Sequence, residues 1–281
     1  MIDLDLRSCE LCPRLCRVNR EEKPGACGCS ARLLAARAAL HFGEEPCISG
    51  TEGSGTVFFS GCNLHCIFCQ NHKISRERYG KALTAVRLAD IFRELEAKGA
   101  NNINLVTPTP WVTEIVKALE LYRPTVPVLY NTSGYERVEV LRELEGLVDV
   151  WLPDYKYADS ALAARFSGAA DYPAVARAAL QEMYRQSGNL TLNKEGKAVR
   201  GVMMRHLVLP LHLKNSFAVL DDIAALFGTE QYVSLMFQYT PFVKTRFPEL
   251  NRALTGRERA RAEAYFLQCG FRNGYIQEAD S

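Results

Sequence analysis

From residue 56 onward the chain alternates apolar runs of strand length with amphipathic stretches, and this rhythm restricts the possible folds more than any other feature. The runs are TVFFSG at 56–61, NINLVT at 102–107, VPVLYN at 126–131, VDVWLP at 148–153, GVMMRHLVLP at 201–210 and YVSLMFQY at 232–239. Strands that are apolar almost throughout predict a parallel sheet buried on both faces, with helices between the strands. The stretch TAVRLADIFRELEAKG opens on Thr84, a suitable N-cap, and stops at Gly99. ERVEVLRELEG stops at Gly146, and a further helical pair is expected over 159–187. Six units are too few to close an eight-stranded barrel, so the expectation is an α/β fold, an open, partial (βα)6 barrel. Its functional groups should gather at the C-terminal ends of the strands. Those ends read SGCNLHC, VTPTPW, YNTSGY, LPDYKY, RHLVLP and FQYTPF, which is polar for the rim of an apolar core.

The expected organisation is a Cys-rich metal-binding leader over 1–50, the barrel over 51–245 and a C-terminal helical extension over 246–281. With 281 residues, 48% of them apolar, the chain can bury one sizeable core. A net charge of +2 gives no reason to expect nucleic acid or an anionic membrane as partner. No apolar segment reaches the ~18 residues of a membrane span, and the start has no signal-peptide pattern, so a soluble, cytoplasmic protein is expected. Eight of the ten cysteines precede residue 67. In a reducing compartment such clustering suggests metal rather than disulfides.

GCNLHCIFCQN places Cys62, Cys66 and Cys69 in a C-x3-C-x2-C pattern. A structural zinc site would need a fourth nearby ligand. Three thiolates suit a 4Fe-4S cluster better, with the fourth iron left open for a substrate or cofactor. His65 and His72 flank the loop and read as surface groups.

Cys62, Cys66, Phe68 and Cys69 form C-x3-C-x-aromatic-C at the end of a first strand, and this resembles the signature of radical S-adenosylmethionine (SAM) enzymes. The resemblance implies that SAM chelates the open iron through its amine and carboxylate, and that Phe68 packs near the adenine. One electron then cleaves SAM to methionine and a 5′-deoxyadenosyl radical. The loop's tail CQNHKIS, with Asn71, is similar to that of glycyl-radical-enzyme activases such as pyruvate formate-lyase activating enzyme. YNTSGY, LPDYKY and MMRHLVLP resemble later strand ends of that family in order, over about residues 56–245. The resemblance implies that Asn131 and Ser133 line the pocket near the SAM ribose or the substrate. Asp154, Lys156 and Arg205 would lie in reach of the SAM carboxylate or ribose, although an Asp-x-Lys can also be a purely internal salt bridge. The activases' Gly-Gly-Glu is replaced here by VTPTPW, in which Thr107 and Thr109 would accept from the SAM amine. This departure suits an activase-like sub-branch with a cysteine-rich leader. Glu44 and Glu45, just before the loop, read as a solvated acidic turn rather than as acids or bases of the site.

In the leader, Cys9, Cys12, Cys16 and Cys27 make C-x2-C-x3-C-x10-C, enough for a second four-thiolate site, with Cys29 spare. Metal binding would supply the folding free energy that so short a segment lacks. Both structural zinc and an auxiliary 4Fe-4S cluster remain open, the shared cysteine of the two spacings leaning toward iron–sulfur. Arg7, Arg14, Arg17 and Arg20 interleave with these cysteines and read as a solvated basic face. Cys47 and Cys269 read as incidental thiols.

The leading functional expectation is a radical SAM enzyme that abstracts hydrogen from a protein or peptide, in the manner of a glycyl-radical activase. Its partners would be a low-potential electron donor, flavodoxin or ferredoxin, and a glycyl-radical enzyme or other protein substrate. A small-molecule substrate is the alternative; RNA is the least favoured. A non-catalytic iron–sulfur or zinc protein is the remaining reading.

Overall fold

The computed structural model describes residues 5–277. Ten strands occur among them: β1 Leu34–His41, β2 Ser54–Phe59, β3 Lys81–Ala82, β4 Ile103–Val106, β5 Val128–Thr132, β6 Val150–Pro153, β7 Thr191–Leu192, β8 Ala198–Leu207, β9 Tyr232–Met236 and β10 Asn273–Gln277. They form one sheet in the order β10-β9-β8-β6-β5-β4-β2-β1-β3, with β7 paired to β8. From β2 to β10 along this path every pairing is parallel. The six expected strands are all present, and the structure is a mostly parallel α/β sheet of the partial-barrel kind.

Two strands go beyond expectation. Residues 273–277, expected in a helical extension, add a seventh parallel strand in register with β9. The helix Gly256–Gln268 does precede it, opened by a capping box between Thr255 and Glu258. Leu34–His41, expected in the leader, runs antiparallel along β2 and widens the wall on the other side. Its residues are mostly half-buried or exposed, so it lacks the continuous apolar run that marked the parallel strands.

The helices cover the outer face. Ala85–Ala97 is capped by Thr84, whose side chain accepts from the Arg87 amide, and it buries Leu88, Ile91, Phe92 and Leu95. These pack against Val57, Phe59, Ile103 and Leu105 of β2 and β4. A larger cluster containing Trp151, Met204, Val233 and Leu235 holds the other half of the barrel under the helices Tyr172–Ser187 and Leu213–Phe227.

The inner face is different. Its lower part is apolar, with Leu129, Val150, Leu152 and Met203, and it is filled by Cys47 and Ile48 from the short helix Pro46–Ser49. The segment after β1 is therefore a plug inside the sheet's curve. Above it the inward positions turn polar, with Asn104, Asn131, Asp154, Arg205 and Ser234.

Candidate active site

A cavity of about 510 Å³ opens at the C-terminal ends of the parallel strands. Cys62, Cys66, Phe68, Cys69, Asn71, Thr107, Asn131, Ser133, Asp154, Lys156 and Arg205 all line it. Thr109 does not. The chain turns at Thr107, held at φ 59, and enters a 3-10 helix at Thr109–Trp111. That turn sends the Thr109 side chain away from the cavity to donate to Glu136 Oε1 at 2.5 Å. A β-branched residue at positive φ is strained by order 1–3 kcal/mol, and here it places Thr107 on the cavity wall.

Each cysteine sulfur receives a donor. Leu64 N lies 3.4 Å from Cys62 Sγ, Ser75 Oγ 3.4 Å from Cys69 Sγ, and Ser167 Oγ 3.0 Å from Cys66 Sγ. Burial pushes the Cys62 thiol up to about 12, with Cys66 adding to the effect, and burial also raises Cys66. Without metal these are protonated thiols, so binding a cluster releases their protons. Three sulfurs facing one cavity, each with a hydrogen-bond donor, fit the thiolate set of a 4Fe-4S cluster. Phe68 packs edge-on against Phe166 and Tyr239 beside them.

A charged network forms the opposite wall. Lys156 Nζ donates to Asp154 Oδ2 at 2.5 Å, and Arg205 Nε donates to Asp154 Oδ1 at 3.1 Å. Arg205 Nη1 reaches Glu44 Oε2 at 3.0 Å and Nη2 donates to Asn131 Oδ1. Burial opposes charge on all three ionised groups at Asp154, but the contacts win. Lys156 and Arg205 hold Asp154 below its ordinary value, and Asp154 holds Lys156 and Arg205 above theirs.

Glu44 and Glu45 are not a solvated turn. Glu44 joins the network, with Oε1 also accepting from Asn104 and Asn131 at 3.2 and 3.3 Å. Glu45 is 1% exposed, and burial raises its pKa. Both are carried inward by the plug that Pro46–Ser49 anchors, a placement that no local pattern encodes.

The leader lies over the barrel mouth. Arg20, expected on a solvated face, is 0% exposed; it donates to the carbonyls of Ser30 and Pro110 and lies over the Trp111 ring. Arg14 donates to the carbonyls of Asn63, Ser167 and Gly168. Arg7 and Arg17 are exposed as expected, paired with Asp5 and Glu10. Cys9, Cys12 and Cys27 are buried and Cys16 half-buried. The sulfurs of Cys16 and Cys27 flank Gly25, where an added Cβ would lie 3.2 and 3.7 Å from them. Cys29 is 1% exposed, its thiol directed at the Cys27 and Ser60 carbonyls. His65 Nε2 meets the Ala26 carbonyl at 2.9 Å, so it ties the loop to the leader. Cys47 is a core thiol and Cys269 is half-buried. Among the described residues no three His, Cys, Asp or Glu side chains converge on a point that one ion could occupy.

Fold and site together define an open α/β barrel enzyme with a three-cysteine loop at the end of its first parallel strand. The sequence pattern of the Radical SAM superfamily matches residues 56–179. An uncharacterized protein of Methanocaldococcus jannaschii is 31% identical over 262 residues, covering 90% of this chain and 72% of the relative. The fold is similar to that of a radical SAM methyltransferase from Sphaerobacter thermophilus, with TM-score 0.52 and 15% identity over 80% of this chain and 66% of that one. It is also similar to native anSMEcpe with bound AdoMet, with TM-score 0.52 and 12% identity over 77% and 61%. Streptococcus suis SuiB bound to precursor peptide SuiA gives TM-score 0.51 and 13% identity over 78% and 46%. The chain thus spans less than two thirds of each of these solved structures. Residues 56–179 form a radical SAM domain. Among the described residues no helix is long and apolar enough to cross a membrane.

Proposed function

We propose that the protein abstracts hydrogen from a protein or peptide substrate, in the manner of a glycyl-radical activase. The observation that carries this reading is the shared cavity: three cluster thiols and the Asp154–Lys156–Arg205 network face the same open space at the barrel mouth. Cys62, Cys66 and Cys69 would hold a 4Fe-4S cluster, which when bound would supply the electron for reductive cleavage of SAM. The chain's own groups bind, orient and exclude water. Lys156 uses one of its three donors on Asp154 and keeps two for a SAM carboxylate. Asn131 and Ser133 offer hydrogen bonds to ribose hydroxyls, and Phe68 offers an apolar face for the adenine. Arg14 ties the leader to the loop at the Asn63 carbonyl and to the Ser167 and Gly168 carbonyls, and Arg20 ties it to the Pro110 carbonyl. A mouth with Phe242 51% exposed on its rim suits a polypeptide.

Cys9, Cys12, Cys16 and Cys27 would hold a second metal group. Zinc would draw four sulfurs to within about 3.8 Å of each other, whereas a second 4Fe-4S cluster would leave them on separate irons. A flavodoxin or ferredoxin would deliver the electron.

The test is anaerobic reconstitution with iron and sulfide, then dithionite and SAM, with 5′-deoxyadenosine, iron and zinc quantified. Product that disappears in Cys66→Ala supports the reading, and a glycyl-radical signal on a co-incubated glycyl-radical enzyme would support its activase form. About eight irons per chain would mark a second cluster, four irons and one zinc a structural site. A loaded protein that fails to bind SAM overturns the reading.

A further inference from the structure

The cavity wall carries one cation that the network does not use. Lys156 and Arg205 are both committed to carboxylates, as the site geometry shows. Arg37 also lines the cavity, and among the described residues it has no carboxylate, hydrogen-bond or ring partner. Its position follows from register. Arg37 pairs with Phe58 across β1 and β2, Ala39 with Thr56 and His41 with Ser54, so residues 37, 39 and 41 continue the inward face of the barrel wall. Arg37 and His41 both line the cavity, and the His41 ring meets Phe58 edge-on at 5.6 Å. Phe242 stands on the same rim.

Lys156 follows β6, and β1 lies four strand steps away through β5, β4 and β2. The two cations therefore address different parts of the cavity. Lys156 lies beside Cys66 and Cys69 of the cluster loop, where SAM's own carboxylate belongs, and Arg37 lies on β1 opposite Phe58. A free guanidinium on a cavity wall that also carries Phe58 and Phe242 recognises a carboxylate on an organic molecule: the fork takes its two oxygens and the apolar lining takes the carbon chain.

Resting on the radical SAM reading above, we propose that Arg37 anchors a carboxylate of the substrate, the acidic side chain of a polypeptide being its source. The substrate's charged group is then held at β1 while the reacting carbon lies deeper, toward the cluster loop.

Arginine footprinting of the reconstituted holoenzyme tests this. Phenylglyoxal modification of Arg37, read by mass spectrometry, is compared with no addition, with SAM, with SAM plus glutarate, and with SAM plus neutral glutaramide. At a glutarate concentration about twice its Kd, mass action slows modification roughly threefold. The expected result is that protection from glutarate, with none from SAM alone or from glutaramide. Protection by SAM alone would mean that Arg37 receives the cofactor's carboxylate, and no protection by glutarate would mean a solvated side chain; either overturns the proposal. The same samples are assayed for 5′-deoxyadenosine. Product without protection removes only the Arg37 anchor, whereas absence of SAM binding removes the enzymatic reading itself.

Discussion

Arg205 Nη1 and Glu44 Oε2 meet at 3.0 Å although 161 residues separate them in sequence. Their side chains are only 10% and 12% exposed, so the pair is largely withdrawn from water. Removing one partner of a buried pair strands the other charge, and the remaining bond to Asp154 softens that cost only in part. Glu44→Ala should lower unfolding free energy by about 3 kcal/mol in a denaturant titration of the metal-free protein, near the low end for broken buried pairs. Glu44→Gln, which keeps a hydrogen-bonding group, should cost less. Equal stability of Glu44→Ala and the parent would show that the network is solvated.

The sequence revealed this site unevenly, and the reason is separation along the chain. Cys62, Cys66 and Cys69 sit within one loop, so their spacing alone announces shared chemistry. The parallel strands were legible because burial on both faces writes a continuous apolar run. Glu44 and Glu45 look like any acidic turn, since their burial depends on Arg205 and on the plug made by Cys47 and Ile48. Arg20 likewise becomes a core residue only once Trp111 and Pro110 lie beside it. Asn273–Gln277 is a short, half-buried edge strand, and its polar ends hide the strand period. Thr109 lies off the cavity because VTPTPW, which reads as an extended strand end, turns at Thr107 into a 3-10 helix.

Ser167 Oγ donates to Cys66 Sγ at 3.0 Å, and the Tyr157 hydroxyl completes the chain by meeting Ser167 Oγ at 2.8 Å. Hydrogen bonds to a ligating sulfur stabilise the more negative, reduced state of a cluster. Ser167→Ala should therefore move the cluster's midpoint potential to more negative values, seen in an EPR-monitored redox titration, with iron content unchanged. An unchanged potential would show that this hydroxyl does not address the ligand.

Gly61 lies at φ 86, and an added Cβ would stand 2.0 Å from Cys29 Sγ. Gly61→Ala should thus both strain the backbone and push the leader from the cluster loop, giving faster proteolysis within the leader. Cys29→Ala removes the obstructing sulfur, so the double variant should recover protease resistance in part but keep the backbone penalty. If the double variant is cleaved as fast as Gly61→Ala, the steric contact is not what couples the two segments.

His206 and Glu136 give the protein opposing responses to acid. His206 is 0% exposed, with Nδ1 meeting the Tyr155 carbonyl at 2.7 Å and Nε2 meeting Ser216 Oγ at 2.9 Å. A carbonyl only accepts, so Nδ1 carries the proton and Nε2 accepts from the serine. Burial holds the imidazole down at about 4, so between pH 6.5 and 4 the unfolded chain binds the extra proton and stability falls as pH falls. Glu136 is the reverse case. Burial raises its carboxyl to about 7 despite the hydroxyls of Thr109 and Thr132, so between pH 4.5 and 7 the folded state holds the extra proton and stability falls as pH rises. From about pH 4.5 to 6.5 the two slopes, each up to about one proton, largely cancel. His206→Asn should expose the Glu136 slope, with a melting temperature that declines from pH 4.5 to 7, whereas the parent's stays level up to about pH 6.5. Glu136→Gln should expose the His206 slope, with a melting temperature that climbs from pH 4 to 6.5, whereas the parent's is level from about pH 4.5. Parallel melting profiles for the parent and both variants across that range would mean that neither group titrates differently on folding.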